Sequence, residues 1–250
     1  MWAMTFYNEN DPYPAAWLRN LIAAGHIPSG TVDERSISDL EPKDLDGFTQ
    51  AHFFAGIGGW PLALKLAGVA DDFPCWTGSC PCQPFSAAGK RRGADDERHL
   101  WPAWFRLIRE RHPPIVFGEQ VASKDGIVWF DAVRADMEAE GYSVAAADLC
   151  AASVGAPHAR QRIFWLAHTR GQNVPRPERK TRSLFSKQKK APAINRDCGL
   201  FARDHIVADS IPAITPDGRS RLVAIVRAYG NAIVPQVAAE FITAALEAIR

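Results

Sequence analysis

The chain has 250 residues, 47% of them hydrophobic and 23% charged, with a formal net charge of +1. That length buries one substantial core with at most a small appended region, and no apolar run approaches a membrane span, which excludes a helical membrane protein and predicts a soluble one. Five cysteines at irregular spacings and the lack of a secretory leader predict free thiols in a reducing, cytoplasmic setting.

Taken in order, Thr5-Phe6-Tyr7 is a short strand-like run that meets the polar turn Asn8-Glu9-Asn10-Asp11-Pro12. A helix fits Ala15 to Ala24, with Trp17, Leu18, Leu21 and Ile22 on one face and Gly25 and Pro28 ending it. The segment Gly30-Thr31-Val32-Asp33 again ends on an acid before the polar run Glu34 to Asp46. From pattern alone, two strands ending in acids read first as two solvated surface turns.

The run Ala51-His52-Phe53-Phe54-Ala55-Gly56-Ile57-Gly58-Gly59 then leads into an apolar helix through Leu62, Leu64 and Leu66 to Gly68. Strand, glycine-rich turn and helix together let backbone approach a nucleotide-like ligand, although Gly-x-Gly-Gly turns also serve tight packing. Thr77 leads into Gly78-Ser79-Cys80-Pro81-Cys82-Gln83-Pro84-Phe85-Ser86, a cysteine between prolines at the end of an extended segment. Cys82 is the candidate nucleophile, since a thiolate activated at a loop entering a helix attacks electrophilic carbon. A buried structural cysteine or half of a metal site are the other readings. Cys80 and Cys82 have no second closely spaced Cys or His pair, so no metal is expected.

Ala87-Ala88-Gly89-Lys90-Arg91-Arg92-Gly93 is a glycine-flanked basic stretch suited to closing over a polyanion. A helix from about His99 to Arg111 places Trp101, Trp104, Leu107 and Ile108 on its core face. Ile115-Val116-Phe117-Gly118 reads as a buried strand with Glu119-Gln120-Val121 at its carboxyl end, where ligands and catalytic groups of open α/β sheets collect. Val128 to Gly141 is helical and Tyr142-Ser143-Val144 starts another strand. Gly155-Ala156-Pro157-His158-Ala159-Arg160-Gln161-Arg162 turns into the strand Ile163-Phe164-Trp165-Leu166, and in extended backbone Arg160 and Arg162 share a face.

Hydrophobic periodicity stops between Arg170 and Arg203. That window holds ten Lys or Arg, including Lys187, Lys189 and Lys190, against Glu178 and Asp197. It carries about +8 and leaves the rest of the chain about −7, a one-sided block that reads as a polyanion-facing segment or as a solvated loop. A helix from about Ser220 to Tyr229, the turn Gly230-Asn231-Ala232-Ile233-Val234-Pro235 and a last helix through Val237, Phe241 and Leu246 end the chain.

Together these segments resemble the cytosine-5 DNA methyltransferases. Phe54-Ala55-Gly56-Ile57-Gly58-Gly59 is similar to that family's cofactor loop, and Pro81-Cys82-Gln83-Pro84-Phe85-Ser86 to its nucleophile motif. Glu119-Gln120-Val121 resembles the Glu-Asn-Val motif with Gln120 at the Asn position, and Gly155 to Arg162 resembles Gly-x-Pro-Gln-x-Arg-x-Arg with His158 at the Gln position. Gly230-Asn231-Ala232 is similar to the C-terminal motif. His52 stands where the family usually has an acid.

The resemblance implies a doubly wound α/β sheet binding S-adenosyl-L-methionine. It assigns residues 1–168 and 222–250 to the catalytic domain and 169–221 to a small basic target-recognition region. It implies Cys82 as nucleophile, Glu119 as proton donor, and Arg160 and Arg162 as orienting groups. Phe54, Gly56, Gly58, Gly59, Pro81 and Asn231 would meet the cofactor; Lys90, Arg91, Arg92, Lys187, Lys189 and Lys190 would meet double-stranded DNA. The expected protein is a cytoplasmic monomer with a cognate restriction endonuclease as candidate partner. The rival readings are a Rossmann oxidoreductase, a non-catalytic DNA-binding relic and an RNA cytosine-5 enzyme.

Only 23 residues separate Gly59 from Cys82, where the family places two further strands and a helix. Those pieces resemble the front of the chain, with Glu9 as the ribose-binding acid and Asp33 as the adenine-binding acid. The expectation is therefore a circularly permuted chain, with a strand-helix-strand unit at residues 4–40 and a tether at 41–50.

Overall fold

The computed structural model describes residues 4–81, 100–156, 158–169 and 232–249. The chain opens with β1 (Met4–Asn8), α1 (Pro12–Ala23) and β2 (Gly30–Asp33). Next come β3 (Phe48–Phe53), α2 (Gly59–Leu66), β4 (Cys75–Gly78) and α3 (Trp101–Arg111). Then follow β5 (Ile115–Val121), α4 (Lys124–Ala139), β6 (Tyr142–Cys150), β7 (Gln161–Thr169) and α5 (Pro235–Ala248). The strands pair in the order β2-β1-β3-β4-β5-β7-β6. Neighbours from β2 to β5 are parallel, and β7 runs antiparallel to both β5 and β6.

The fold is a doubly wound α/β sheet, and its central strands are apolar on both faces, as parallel strands under helices must be. On one face α3 and α4 bury an aromatic cluster with Phe53, Trp76, Trp104 and Trp165. On the other face α2 and α5 pack over Phe117, Phe164 and Leu166, and α1 covers Tyr7 beside Ala55 and Ile57. The C-terminal helix α5 thus shares one core with the glycine-turn helix α2, although 66 positions separate β7 from α5 in sequence.

β1 lies between β2 and β3, so the two strands made first are added outside the third. Residues 34–47 carry the chain from β2 back across β1 as two 3-10 turns, Ile37–Asp39 and Pro42–Leu45. Arg106 and Arg111 of α3 hold that passage: Arg106 Nη2 donates to the Leu40 carbonyl at 2.5 Å and Arg111 Nη1 to Asp46 at 2.6 Å. The tether expected at 41–50 is a pinned crossover, and from Phe48 its residues already belong to β3.

Several boundaries differ from the sequence expectation. α1 begins three residues earlier than Ala15, because the Asp11 side chain accepts from the Tyr13 amide and proline occupies its first turn. α4 begins at Lys124 and not at Val128, since Ser123 caps it by accepting from the Gly126 amide. Glu119 and Gln120 are inside β5, not beyond it. The helix expected at 220–229 lies outside the described residues.

Candidate functional site

The carboxyl ends of β1 to β5 gather at one edge of the sheet, and the antiparallel β7 begins at that same edge. Glu9 follows β1 there; its Oε2 accepts from the Gly56 amide at 2.8 Å and its Oε1 from the Asp11 amide at 2.9 Å. The expected juxtaposition of Glu9 with the glycine turn is therefore present. Asp33 ends β2, and both its oxygens accept from Arg35, at 2.7 to 3.1 Å. Burial would raise the Asp33 pKa, but the Arg35 hydrogen bonds win and hold it below the usual carboxylate range.

The turn between β3 and α2 needs left-handed backbone at Phe54 (φ 51°), Gly56 (φ 55°) and Gly58 (φ 79°). Phe54 is the non-glycine among them, and strained backbone of this kind persists where surrounding contacts fix it; its ring packs edge-on against Trp104 at 5.9 Å. Gly58 is the N-cap of α2. A Cβ on Gly59 would lie 2.7 Å from Ile233, so the turn and the segment after Asn231 pack backbone to side chain. A Cβ on Gly56 would meet nothing within 4 Å, which leaves open space over the turn beside a carboxylate. That cradle fits a ribose-bearing ligand approached by backbone amides.

His52, at the position where the family has an acid, is fully buried and its Nδ1 shares a hydrogen bond with Thr77 Oγ1 at 2.7 Å. Desolvation lowers its pKa to about 3, so it is neutral and faces the neighbouring strand.

Glu119 is the buried acid of the edge, 7% exposed. Residues 115, 117 and 119 point to the α2 and α5 face, as do Ser79 and Arg162 of β7. Val121 pairs with Arg162, which puts Arg162 diagonal to Glu119; its Nε lies 2.7 Å from Glu119 Oε1. Burial pushes Glu119 above the usual carboxylate range, while the charge of Arg162, the Ser79 hydroxyl and Arg160 pull it part of the way back. The edge thus holds a carboxyl that keeps its proton to higher pH beside a fixed cation, a pairing suited to proton transfer at a polar ring.

Arg160 is placed differently from Arg162. Its Nη2 donates to the Ala232 carbonyl at 2.9 Å, tying the turn before β7 to the residue after Asn231. The resemblance gave Arg162 or Arg160 an orienting role toward base and acid; Arg162 meets Glu119, and Arg160, whose charge also lowers the Glu119 pKa, reaches the C-terminal segment. His158 is exposed.

Pro81, at the end of the β4 extension, is exposed on this edge. Cys82, Asn231, Lys90, Arg91, Arg92, Lys187, Lys189 and Lys190 lie outside the described residues, as does most of the 169–221 region. Two side chains given no role from sequence, Trp60 and Ser79, meet here beside Gln120. Trp60 donates its indole N–H to Ser79 Oγ at 3.1 Å, and Gln120 Nε2 donates to the Cys80 carbonyl at 3.1 Å. Only the position of Gln120 beside Glu119 hinted at this; Trp60 and Ser79 have no signal in local pattern.

Comparison with known proteins identifies the family. The family model for C-5 cytosine-specific DNA methylases matches residues 69–209, and the chain belongs to that family. Its members are S-adenosylmethionine-dependent methyltransferases. The type II methyltransferase M.HhaI of Haemophilus parahaemolyticus is 27% identical over 175 residues, which cover 54% of this chain and 54% of that protein. M.AplI of Arthrospira platensis is 27% identical over 161 residues, covering 50% of this chain and 47% of that protein. The chain spans about half the length of these curated relatives. Among solved structures, the Dnmt2 methyltransferase of S. pombe aligns over 68% of this chain and 52% of its own, with 18% identity and a TM-score of 0.40. Among the described residues no helix is long and apolar enough to cross a membrane.

Proposed function

We propose that the protein methylates C5 of a flipped-out cytosine in double-stranded DNA through a covalent bond between Cys82 and C6. The observation that carries this is the buried Glu119, paired with Arg162 on the strand next to the Ser79-Cys80-Pro81 segment that delivers Cys82. Cytosine C5 is not nucleophilic enough unaided. Addition of the Cys82 thiolate at C6, with a proton passing from Glu119 to N3, makes a neutral enamine whose electron density lies at C5. Arg162 keeps the Glu119 carboxyl facing the ring throughout. Glu9 and the Gly56 to Gly59 turn would hold S-adenosylmethionine, whose sulfonium would supply a methyl to C5 and depart as the neutral thioether. Loss of the C5 proton to a base then expels Cys82 as thiolate, and the N3 proton returns to Glu119.

A stacked base cannot reach this edge, so the cytosine leaves the duplex at a cost of a few kcal/mol, offset by phosphate contacts. Lys90, Arg91 and Arg92 and the basic block at 169–221, with Lys187, Lys189 and Lys190, are our assignment for those contacts. We further read the chain as circularly permuted: β1-α1-β2 supplies the ribose- and adenine-binding strands ahead of the glycine turn. The parallel β2-β1-β3 pairing and the Glu9 to Gly56 hydrogen bond support this. The family match begins at residue 69, so the N-terminal assignment rests on that geometry.

The test is Cys82→Ala, with Cys80→Ala as control. Cys82→Ala should abolish methyl transfer while S-adenosylmethionine still binds, and Cys80→Ala should stay active. DNA carrying fluorocytosine should trap the intact protein covalently, because the C5 substituent cannot leave as a proton. Full activity in Cys82→Ala would end the proposal; methylation of RNA and not DNA would move the substrate to the rival class.

A further inference from the structure

We infer that Trp60 and Gln120 are positioning residues that grip the segment before Cys82 from the two faces of the sheet; this rests on the reading of Cys82 as nucleophile. The grip is applied at consecutive residues. On the α2 face, the Trp60 indole N–H donates to Ser79 Oγ at 3.1 Å. On the α3 face, Gln120 Nε2 donates to the Cys80 carbonyl at 3.1 Å, while its Oε1 accepts from the Val121 amide at 2.8 Å. Both side chains are buried, Trp60 at 2% and Gln120 at 3% exposure.

Neither group is free to turn away. The Trp60 ring is stacked on Phe117 at 6.3 Å and meets Phe164 edge-on at 6.1 Å. The Gln120 amide has both ends used, so rotation would strand a buried donor and a buried acceptor. The Ser79 hydroxyl, accepting from Trp60, keeps its own proton and helps pull the Glu119 pKa down. Trp60 directly follows Gly59, the last residue of the cofactor turn, and Gln120 directly follows Glu119. The approach to the nucleophile is thereby registered against both the cofactor turn and the acid. A displacement of about 1 Å between reacting groups costs on the order of a hundredfold in rate, which is the scale such a grip controls.

The variants are Trp60→Phe, which deletes only the indole donor, Gln120→Leu, which deletes the amide, and Cys80→Ala, which leaves the gripped backbone carbonyl in place. Plasmid DNA amplified with fluorocytosine nucleotide is the trapping probe, used with the intact chain. Trp60→Phe and Gln120→Leu should each lower the trapping rate and kcat by about tenfold to a hundredfold, with KM for DNA and cofactor affinity within about twofold. Cys80→Ala should match the parent. Ser79→Ala should move the pH profile of the rate upward, since the hydroxyl holds Glu119 down. If Gln120→Leu does not fold, Gln120→Asn, with its shorter reach, replaces it and should be slower than the parent.

Trapping rates equal to the parent in both Trp60→Phe and Gln120→Leu would overturn the inference, and so would losses matched by equal losses of cofactor affinity. If the parent itself does not trap, the reading of Cys82 fails first. The grip is then judged by the iodoacetamide alkylation rate of Cys82, mapped by peptide mass: a change in both variants but not in Cys80→Ala supports it, and identical rates overturn it.

Discussion

The two ends of the sheet's ligand edge hold their acids in opposite ways. At the β1-β2 end Glu9 accepts from two backbone amides, and Asp33 accepts from a guanidinium that holds its pKa below the usual carboxylate range. At the β5-β7 end Glu119 is buried with one cation at its side, and burial wins over the cation. A charged acid binds hydroxyls and amines without changing state, whereas a carboxyl with a raised pKa can give a proton and take it back. Under the proposed function, carboxyl groups would serve recognition at one end and proton transfer at the other, a difference set by desolvation.

The sharpest way to break this contrast is Glu119→Gln, which keeps the shape and removes the titration. The rate of methyl transfer should fall by about a hundredfold to ten-thousandfold, with cofactor affinity unchanged. Arg162→Met should raise the Glu119 pKa further, because a lowering charge is lost. The acid form then persists to higher pH, and the alkaline limb of the rate profile should move upward. Equal activity of Glu119→Gln and the parent would show that the buried acid is structural.

Next in size is Glu9→Gln at the other end. Losing a charge-assisted acceptor should weaken S-adenosylmethionine by about 1–3 kcal/mol, about fivefold to somewhat over a hundredfold, measured by calorimetry. The rate at saturating cofactor should hold. If affinity is unchanged, the carboxylate serves only to brace the Gly56 turn.

His52 sits between the two ends and gives a pH signature. Its folded pKa of about 3 lies below an unfolded value of about 6.5, so the unfolded chain binds the extra proton between those limits. Its contribution is fully present above pH 6.5 and is lost as pH falls toward 3, by about 2 kcal/mol at pH 5. His52→Gln should flatten denaturant-measured stability between pH 7 and 5. Glu119 works with the opposite sign, since a raised folded pKa removes stability as pH rises through it.

Much of this edge was legible in sequence because its chemistry sits at strand ends marked by local punctuation: Gly56 and Gly58, the prolines around Cys82, and acids after short apolar runs. The partnerships were not legible, because they are lateral. Trp60 meets Ser79 across 19 positions and Gln120 meets Cys80 across 40, distances fixed only when β3, β4 and β5 pair. β7 was read as residues 163–166 and β6 only as starting at Tyr142; antiparallel pairing carries both to nine residues, β6 through residues of weak strand pattern such as Ala145 to Ala147. The caps Asp11 and Ser123 were present in sequence but overlooked, and each moved a helix start.

The smallest effect is expected at Asp33, where sequence gave an adenine-binding acid and the structure adds a competitor. Arg35 takes both carboxylate oxygens and also reaches Asp44 at 3.0 Å, and its side chain is 46% exposed. An ion pair this open to solvent contributes under about 1 kcal/mol to folding. Asp33→Asn retains a carbonyl oxygen that can accept from an adenine amine while releasing Arg35. S-adenosylmethionine should therefore weaken by less than about tenfold, and added salt should narrow the gap between variant and parent. Arg35→Ala should, conversely, free the Asp33 oxygens and leave affinity equal or tighter. A loss in Asp33→Asn as large as in Glu9→Gln, unchanged by salt, would show that the carboxylate charge itself meets the cofactor and that the Arg35 pair opens when it binds.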